Sequence, residues 1–164
     1  MDERSTITHL QPIYGVQPMF KKILVPSDGS AQAHKAAEVA ADLAKTQGAS
    51  VIGIYVIDPF PFIGIGDASA IGLQAYLSEA QAAATESLGD IRRMCEAKGV
   101  PFTGDTIERG SASDGILETA KAEACDLIVM GSHGRRGLEA LILGSVAQKV
   151  LTHATVPVMI IKTK

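Results

Sequence analysis

A chain of 164 residues, 46% hydrophobic and 20% charged, is long enough for one packed core and too apolar to stay unfolded. A net charge of −3 with no block of lysines and arginines argues against a general nucleic-acid binder, and the lack of Trp beside three Tyr and four Phe leaves no obvious platform for stacking single-stranded bases. Apolar runs fall short of a membrane span, the opening Met-Asp-Glu-Arg lacks a signal-peptide pattern, and Cys95 and Cys125 fit neither a zinc spacing nor a disulfide framework; the expectation is a cytoplasmic protein with reduced thiols.

Residues 1–18 show no period and are broken by Pro12, Gly15 and Pro18, so they read as an extension ahead of a domain spanning 19–164. Lys22 to Pro26 predicts a short apolar strand. Ala31 to Gln47 predicts a helix, with Ala33, Ala36, Ala37, Ala40, Leu43 and Ala44 on one side and Gly48 ending it. Ser50 to Val56 is a second buried strand, followed by an unusually apolar loop over 57–72 whose role the sequence leaves open. A long helix is expected from about Leu73 to Lys98, with Leu73, Tyr76, Leu77, Ala80, Ala84, Leu88, Ile91 and Cys95 inward and Gly99 and Pro101 closing it. Phe102 to Ile107 reads as a third strand. Ser113 reads as the cap of a helix through Ile116, Leu117, Ala120 and Ala124, and Leu127 to Met130 as a fourth strand. Ser145 opens a helix with Val146, Val150 and Leu151 inward, and Val158 to Ile161 is the last strand.

Strands and helices alternate throughout, and the strands read as apolar on both faces. That pattern predicts an α/β fold: a doubly wound, Rossmann-like parallel sheet of five strands with helices on both sides. Such sheets bind ligands beyond the strand carboxyl ends, where strand order reverses. The tips of the first and fourth strands are therefore the places to look.

Above the fourth strand lie Gly131, Ser132, His133 and Gly134, and Gly144-Ser145 forms the mouth of the last long helix. Glycines let backbone amides approach a bound group, and the free amides at a helix mouth attract anions, so this arrangement suits a di- or triphosphate. A plainer account stands beside it. Ser145 with Gln148 fits a capping box, and the glycines can simply turn the chain. On spacing alone, phosphate binding is favoured only slightly.

The full spacing, Gly131-x2-Gly134-x9-Gly144-Ser145, resembles the ATP-binding signature of the universal stress protein family. Phe20 to Ser30 looks like that family's opening strand and acidic loop, and Val156 to Ile161 is similar to its closing strand. The resemblance covers 19–164 and implies strand order 3-2-1-4-5. It also implies that Pro26, Ser27 and Asp28 hold the nucleoside side of ATP, with Asp28 accepting from ribose or adenine. Val56 would read the adenine edge through its backbone. Met130 and Gly131 would lie under the ribose and first phosphate, and Ser132, Gly134, Gly144, Ser145 and Val146 would hold the phosphates through amides and hydroxyls. Any Mg²⁺ or Mn²⁺ would be held by the phosphates. A homodimer through the edge strand Val158–Ile161 is implied as well.

These features lead to an ATP-binding regulatory protein of the stress response, with occupancy controlling conformation or the choice of an unidentified protein partner. At most slow hydrolysis is expected, since no Gly-Lys-Ser/Thr phosphate loop and no evident acidic pair for metal are present. The alternatives are a nucleotide-independent interaction module of the same fold and, more remotely, an ATP-using enzyme on a related fold, whose Ser-Gly-Gly-x-Asp-Ser motif is not matched by Pro26-Ser27-Asp28-Gly29-Ser30. Asp28 can also be read as a turn residue; His133, with no identifiable partner for acid–base work, reads as exposed or near phosphate rather than catalytic; and Arg135 and Arg136 either pair with phosphate or are solvated loop charges, the latter favoured for at least one of them. His34 and His153 read as helix-surface residues, and Lys21 and Lys22 as solvated strand flanks.

Overall fold

The computed structural model describes residues 18–57, 67–134 and 143–162. Nine elements follow in chain order: β1 (Lys22–Ser27), α1 (Ala31–Gln47), β2 (Ser50–Ile57), α2 (Asp67–Ala97), β3 (Phe102–Glu108), α3 (Ala112–Ala122), β4 (Leu127–Gly131), α4 (Ser145–His153) and β5 (Val158–Ile161). The strands form one sheet in the order β3-β2-β1-β4-β5, and every pairing is parallel. The doubly wound expectation and its strand order both hold.

Alternation along the central strands divides the core into two layers. Ile23, Val25, Val51, Leu127 and Val129 pack with the alanine face of α1 and with Ile91 and Cys95 of α2. Leu24, Ile52, Ile54, Ile128 and Met130 point the other way, onto Ile116 and Ala120 of α3 and Ala147 and Val150 of α4. The stripe Ala36, Ala37, Ala40, Ala41 and Ala44 is fully buried, and its small side chains let α1 lie close to β1 and β4.

Several local expectations change. β3 alternates, with Thr103, Asp105 and Glu108 exposed, because it is an edge strand with a helix against only one face. α2 has 31 residues and is therefore about 46 Å long, well beyond the ~26 Å of the longest strand. Its burial is concentrated at Ala84, Ser87, Ile91 and Cys95, whereas Leu77, expected inward, lies on the overhanging part and is 38% exposed. Ser111, not Ser113, caps α3, its side chain accepting from Asp114 N–H, and α3 stops at Ala122 short of Ala124. Leu151 is 43% exposed because Ala147 and Val150 already fill the inner face of α4. The expected extension lies, up to residue 17, outside the described residues, as do 58–66 of the apolar loop.

The two ends of the β1–β4 seam differ. At the amino ends, the Asp126 carboxylate accepts from Lys21 N–H at 2.8 Å and Lys22 N–H at 3.1 Å, and Asp126 N–H donates to Lys22 O. Ladder pairing runs through Ile23↔Leu127 and Leu24↔Ile128 and goes no further, although β1 stays paired with β2 as far as Ser27↔Tyr55. The seam is tied at the bottom and open at the top, which is the crevice a doubly wound sheet offers a ligand.

Candidate functional site

Two loops meet over the crevice. Beyond β1, the Asp28 carboxylate closes a turn by accepting from Ser30 N–H at 3.0 Å, and Ser30 Oγ caps α1 by accepting from Ala33 N–H. The turn-residue reading of Asp28 is therefore correct for Oδ1. Its other oxygen faces Gly134, where an added Cβ would stand 2.5 Å from Oδ2. The β1 and β4 tips thus converge at Asp28 and Gly134.

Ser27 is placed differently from a ligand-facing hydroxyl. Its Oγ is buried, 2.8 Å from Ser87 Oγ of α2, and accepts from Gly29 N–H. Pro26 is buried opposite Ile54, and Met130 is buried beside Ile160, both within the strands just below the loops that meet over the crevice. Val56 is the first residue of β2 beyond the tip of β1, where the ladder to β3 continues through Val56↔Ile107. Its side chain turns toward α3, 3.1 Å from where a Cβ on Gly115 would lie.

The glycines divide into different jobs. A Cβ on Gly131 would lie 3.1 Å from Gln32 Cβ and 3.2 Å from the Gln32 carbonyl carbon, so its bareness admits the first turn of α1. A Cβ on Gly144 would lie 3.0 Å from Ser132 O, and Gly144 N–H donates to that same oxygen at 2.8 Å. Ser132 N–H is also engaged, donating to Ile161 O at 3.0 Å. The amides of Ser132 and Gly144 therefore hold the loop together and are not aimed at a phosphate.

The capping-box reading of Ser145 does not survive. Gly144 is the N-cap of α4, and among the described residues no side chain caps it. The first intrahelical bond runs from Gln148 N–H to Gly144 O at 2.9 Å, so the amides of Ser145, Val146 and Ala147 have no acceptor within the helix. Ser145 itself is exposed. These amides carry the positive end of the helix dipole, which favours an anion.

Sequence reasoning missed Gln32, the residue that joins α1 to this loop. Its Oε1 accepts from His133 N–H at 2.8 Å and from Ser132 Oγ at 3.3 Å. No periodicity marks it; only its place in the first turn behind the acidic loop could have drawn notice. His133, expected to lack a partner, has Nδ1 3.0 Å from Ser132 Oγ, while its Nε2 is buried without a partner among the described residues. Arg135 and Arg136 lie outside the described residues.

The fold defines a doubly wound α/β protein with a crevice at the β1–β4 switch point, bordered by the Asp28 loop and the start of α4. Comparison with known proteins then gives the family: residues 19–162 match the model of the universal stress protein family, and the chain belongs to it. It is 39% identical over 144 residues to universal stress protein MJ0531 of Methanocaldococcus jannaschii, covering 88% of this chain and 83% of that one. The structure of UspA from Lactobacillus plantarum superposes with a TM-score of 0.76 at 26% identity, over 87% of this chain and 97% of that one. The universal stress protein of Archaeoglobus fulgidus in complex with dAMP shares the fold, with a TM-score of 0.60 at 24% identity over 88% and 99% of the two chains. Among the described residues, no helix is long and apolar enough to cross a membrane.

Proposed function

We propose that this protein binds ATP in the crevice between β1 and β4 and acts as a nucleotide-occupied regulator in the stress response. The observation that carries this reading is the start of α4, which no side chain among the described residues caps and whose Ser145, Val146 and Ala147 amides follow Gly144, packed on Ser132 and His133 just before Gly134. The triphosphate takes those amides and the exposed Ser145 hydroxyl; Gly134 gives it a wall without side chains. The nucleoside end lies toward Asp28 and the Val56 backbone, above Pro26 and Met130. The hydroxyls of Ser27 and Ser132 and the amides of Ser132 and Gly144 act indirectly, by holding the loops. Mg²⁺ or Mn²⁺, when bound, is carried by the phosphates. The dAMP complex of the A. fulgidus protein supports an adenine nucleotide as the ligand class.

Occupancy rather than turnover is the function proposed, because fast hydrolysis needs a placed water and strong neutralisation of the transferring phosphoryl group. A homodimer through β5 completes the proposal: Val158 to Ile161 are only half-buried at an open sheet edge. The test is to heat-denature freshly purified protein and resolve the released small molecules by ion exchange, followed by titration calorimetry with ATP, AMP and adenosine. Released ATP and an ATP affinity above that for adenosine are expected. A preparation that releases no adenine nucleotide and gives no heat with any of the three removes the reading, and turnover of several per second abolished by Asp28→Ala replaces regulation with catalysis.

A further inference from the structure

We propose that Gln32 is the positioning residue of the phosphate side of this site, and that it sets the tautomer of His133 through Ser132. The proposal rests on the nucleotide-binding reading above. It starts from a donor that cannot be reassigned: the backbone N–H of His133 lies 2.8 Å from the Gln32 side chain, so the carboxamide must present its oxygen there. That same oxygen lies 3.3 Å from Ser132 Oγ.

Ser132 has one hydroxyl proton and two neighbours that could accept it, Gln32 Oε1 and His133 Nδ1 at 3.0 Å. If the proton went to Nδ1, two oxygen lone pairs would face each other between Ser132 and Gln32. The imidazole proton would then sit on Nε2, which is buried without a partner among the described residues. A buried orphan N–H is rarer than an under-satisfied acceptor. Both costs vanish when Ser132 donates to Gln32 and His133 Nδ1–H donates to Ser132. The chain Nδ1–H to Oγ–H to Oε1 satisfies every proton and places the His133 ring against Gly144, whose added Cβ would come 3.8 Å from Cδ2.

Position follows from the same bonds. Gln32 is the second residue of α1, and its backbone fits under Gly131 only because that residue has no side chain. Ser132 O in turn accepts from the Gly144 amide at the cap of α4. One carboxamide therefore links the start of α1 to the start of α4, across the mouth of the crevice. Removing it frees the 131–134 turn on the phosphate side, while on the adenosine side Asp28 is still held by its Ser30 N–H bond and β1 by its pairing with β2.

The experiment uses the full chain with Gln32→Leu, which keeps the shape and loses the acceptor, and Gln32→Glu, which keeps an acceptor. In ¹⁵N NMR at about pH 8, where an ordinary imidazole is neutral, wild type shows His133 protonated on Nδ1, Gln32→Leu moves the proton to Nε2, and Gln32→Glu restores Nδ1. By calorimetry, Gln32→Leu weakens ATP about tenfold, the loss of one good hydrogen bond, with adenosine affinity unchanged. An Nε2-protonated His133 in wild type overturns the inference. So does an unaltered ATP affinity in folded Gln32→Leu, or an equal loss for ATP and adenosine. If Gln32→Leu fails to fold, the wild-type and Gln32→Glu tautomers decide. Wild type that binds neither ligand defeats the nucleotide reading and with it the positioning role, while the tautomer spectra still judge the proton chain.

Discussion

A Cβ on Gly134 would stand 2.5 Å from Asp28 Oδ2, so the loops above β1 and β4 touch where one of them has no side chain. The obstructing atom is the end of a side chain and can rotate away, at the expense of the Ser30 N–H bond to the same carboxylate. Gly134→Ala is expected to cost about 1 kcal/mol, the worth of that bond, and to lower Tm by roughly 2–4 °C. ATP affinity should fall about tenfold or more, since the methyl group enters the crevice and turns Asp28. Calorimetry and thermal melts on one preparation check both; unchanged affinity would remove Gly134 from the site.

Gly144 is the contrasting case. Its added Cβ would lie 3.0 Å from Ser132 O and 3.3 Å from His133 Cα, both backbone atoms that cannot swing aside. Gly144→Ala should therefore cost about 1–3 kcal/mol of stability as well as binding. Denaturant unfolding separates the two glycines: the Gly144 variant must lose clearly more stability than the Gly134 variant.

What was legible in the sequence followed from periodicity. The alternation in Ile23-Leu24-Val25 and the alanine stripe of α1 identify core faces directly, and the parallel sheet follows from them. The site was legible only as a set of positions. Gly131, Gly134 and Gly144 each meet a different neighbour, Gln32, Asp28 and the Ser132–His133 backbone, and spacing does not say which amides are already used. Ser132 and Gly144 spend theirs on Ile161 O and Ser132 O. Ser27 turns to Ser87, 60 residues away, and Gln32 to His133, 101 away. Such contacts depend on how the elements pack, which a local pattern does not encode.

The edge of β5 supports a prediction about assembly. Pro157 O accepts from Ile128 N–H and Ile161 O from Ser132 N–H, so by alternation the peptide groups of Val158 and Ile160 face the open edge. Ile160→Pro removes an outward N–H without breaking the ladder to β4. Light scattering at micromolar concentration should show a dimer for wild type and a monomer for this variant. A monomeric wild type would end the dimer proposal.

Burial pushes the Cys125 thiol up to about 11 from its ordinary 9.0, against the lowering pull of Lys22, and burial raises Cys95 as well. A raised pKa means the folded protein keeps a proton that the unfolded chain releases. The associated stability is complete below pH 9.0 and is lost as the pH climbs toward about 11. Urea unfolding at both ends of that window should show a loss on the order of 1–2 kcal/mol from Cys125, removed in Cys125→Ala. Alkylation of native protein at neutral pH should be slow, because the thiolate is the nucleophile.

Three helices close the same way, and one of them does so with a strained residue. Ala49 N–H reaches Ala44 O at 2.9 Å with Gly48 at φ 66°, and Val100 N–H reaches Cys95 O at 2.9 Å with Gly99 at φ 69°. Cys125 N–H reaches Ala120 O at 2.9 Å, but the left-handed position is Ala124, at φ 51°. Alanine there costs about 1–2 kcal/mol, against a penalty of roughly 0.4–1 kcal/mol for the freer unfolded chain that glycine brings. Ala124 is exposed, so no packing is lost on shortening it. Ala124→Gly should raise stability by about 0.5 kcal/mol and Tm by roughly 1–2 °C. Gly48→Ala and Gly99→Ala should lower it by about 1 kcal/mol each, since nothing lies within 4 Å of either added Cβ and only the backbone angle resists. Thermal melts of the three variants check the pattern, and a lower Tm for Ala124→Gly would show that the left-handed turn after α3 carries no strain to relieve.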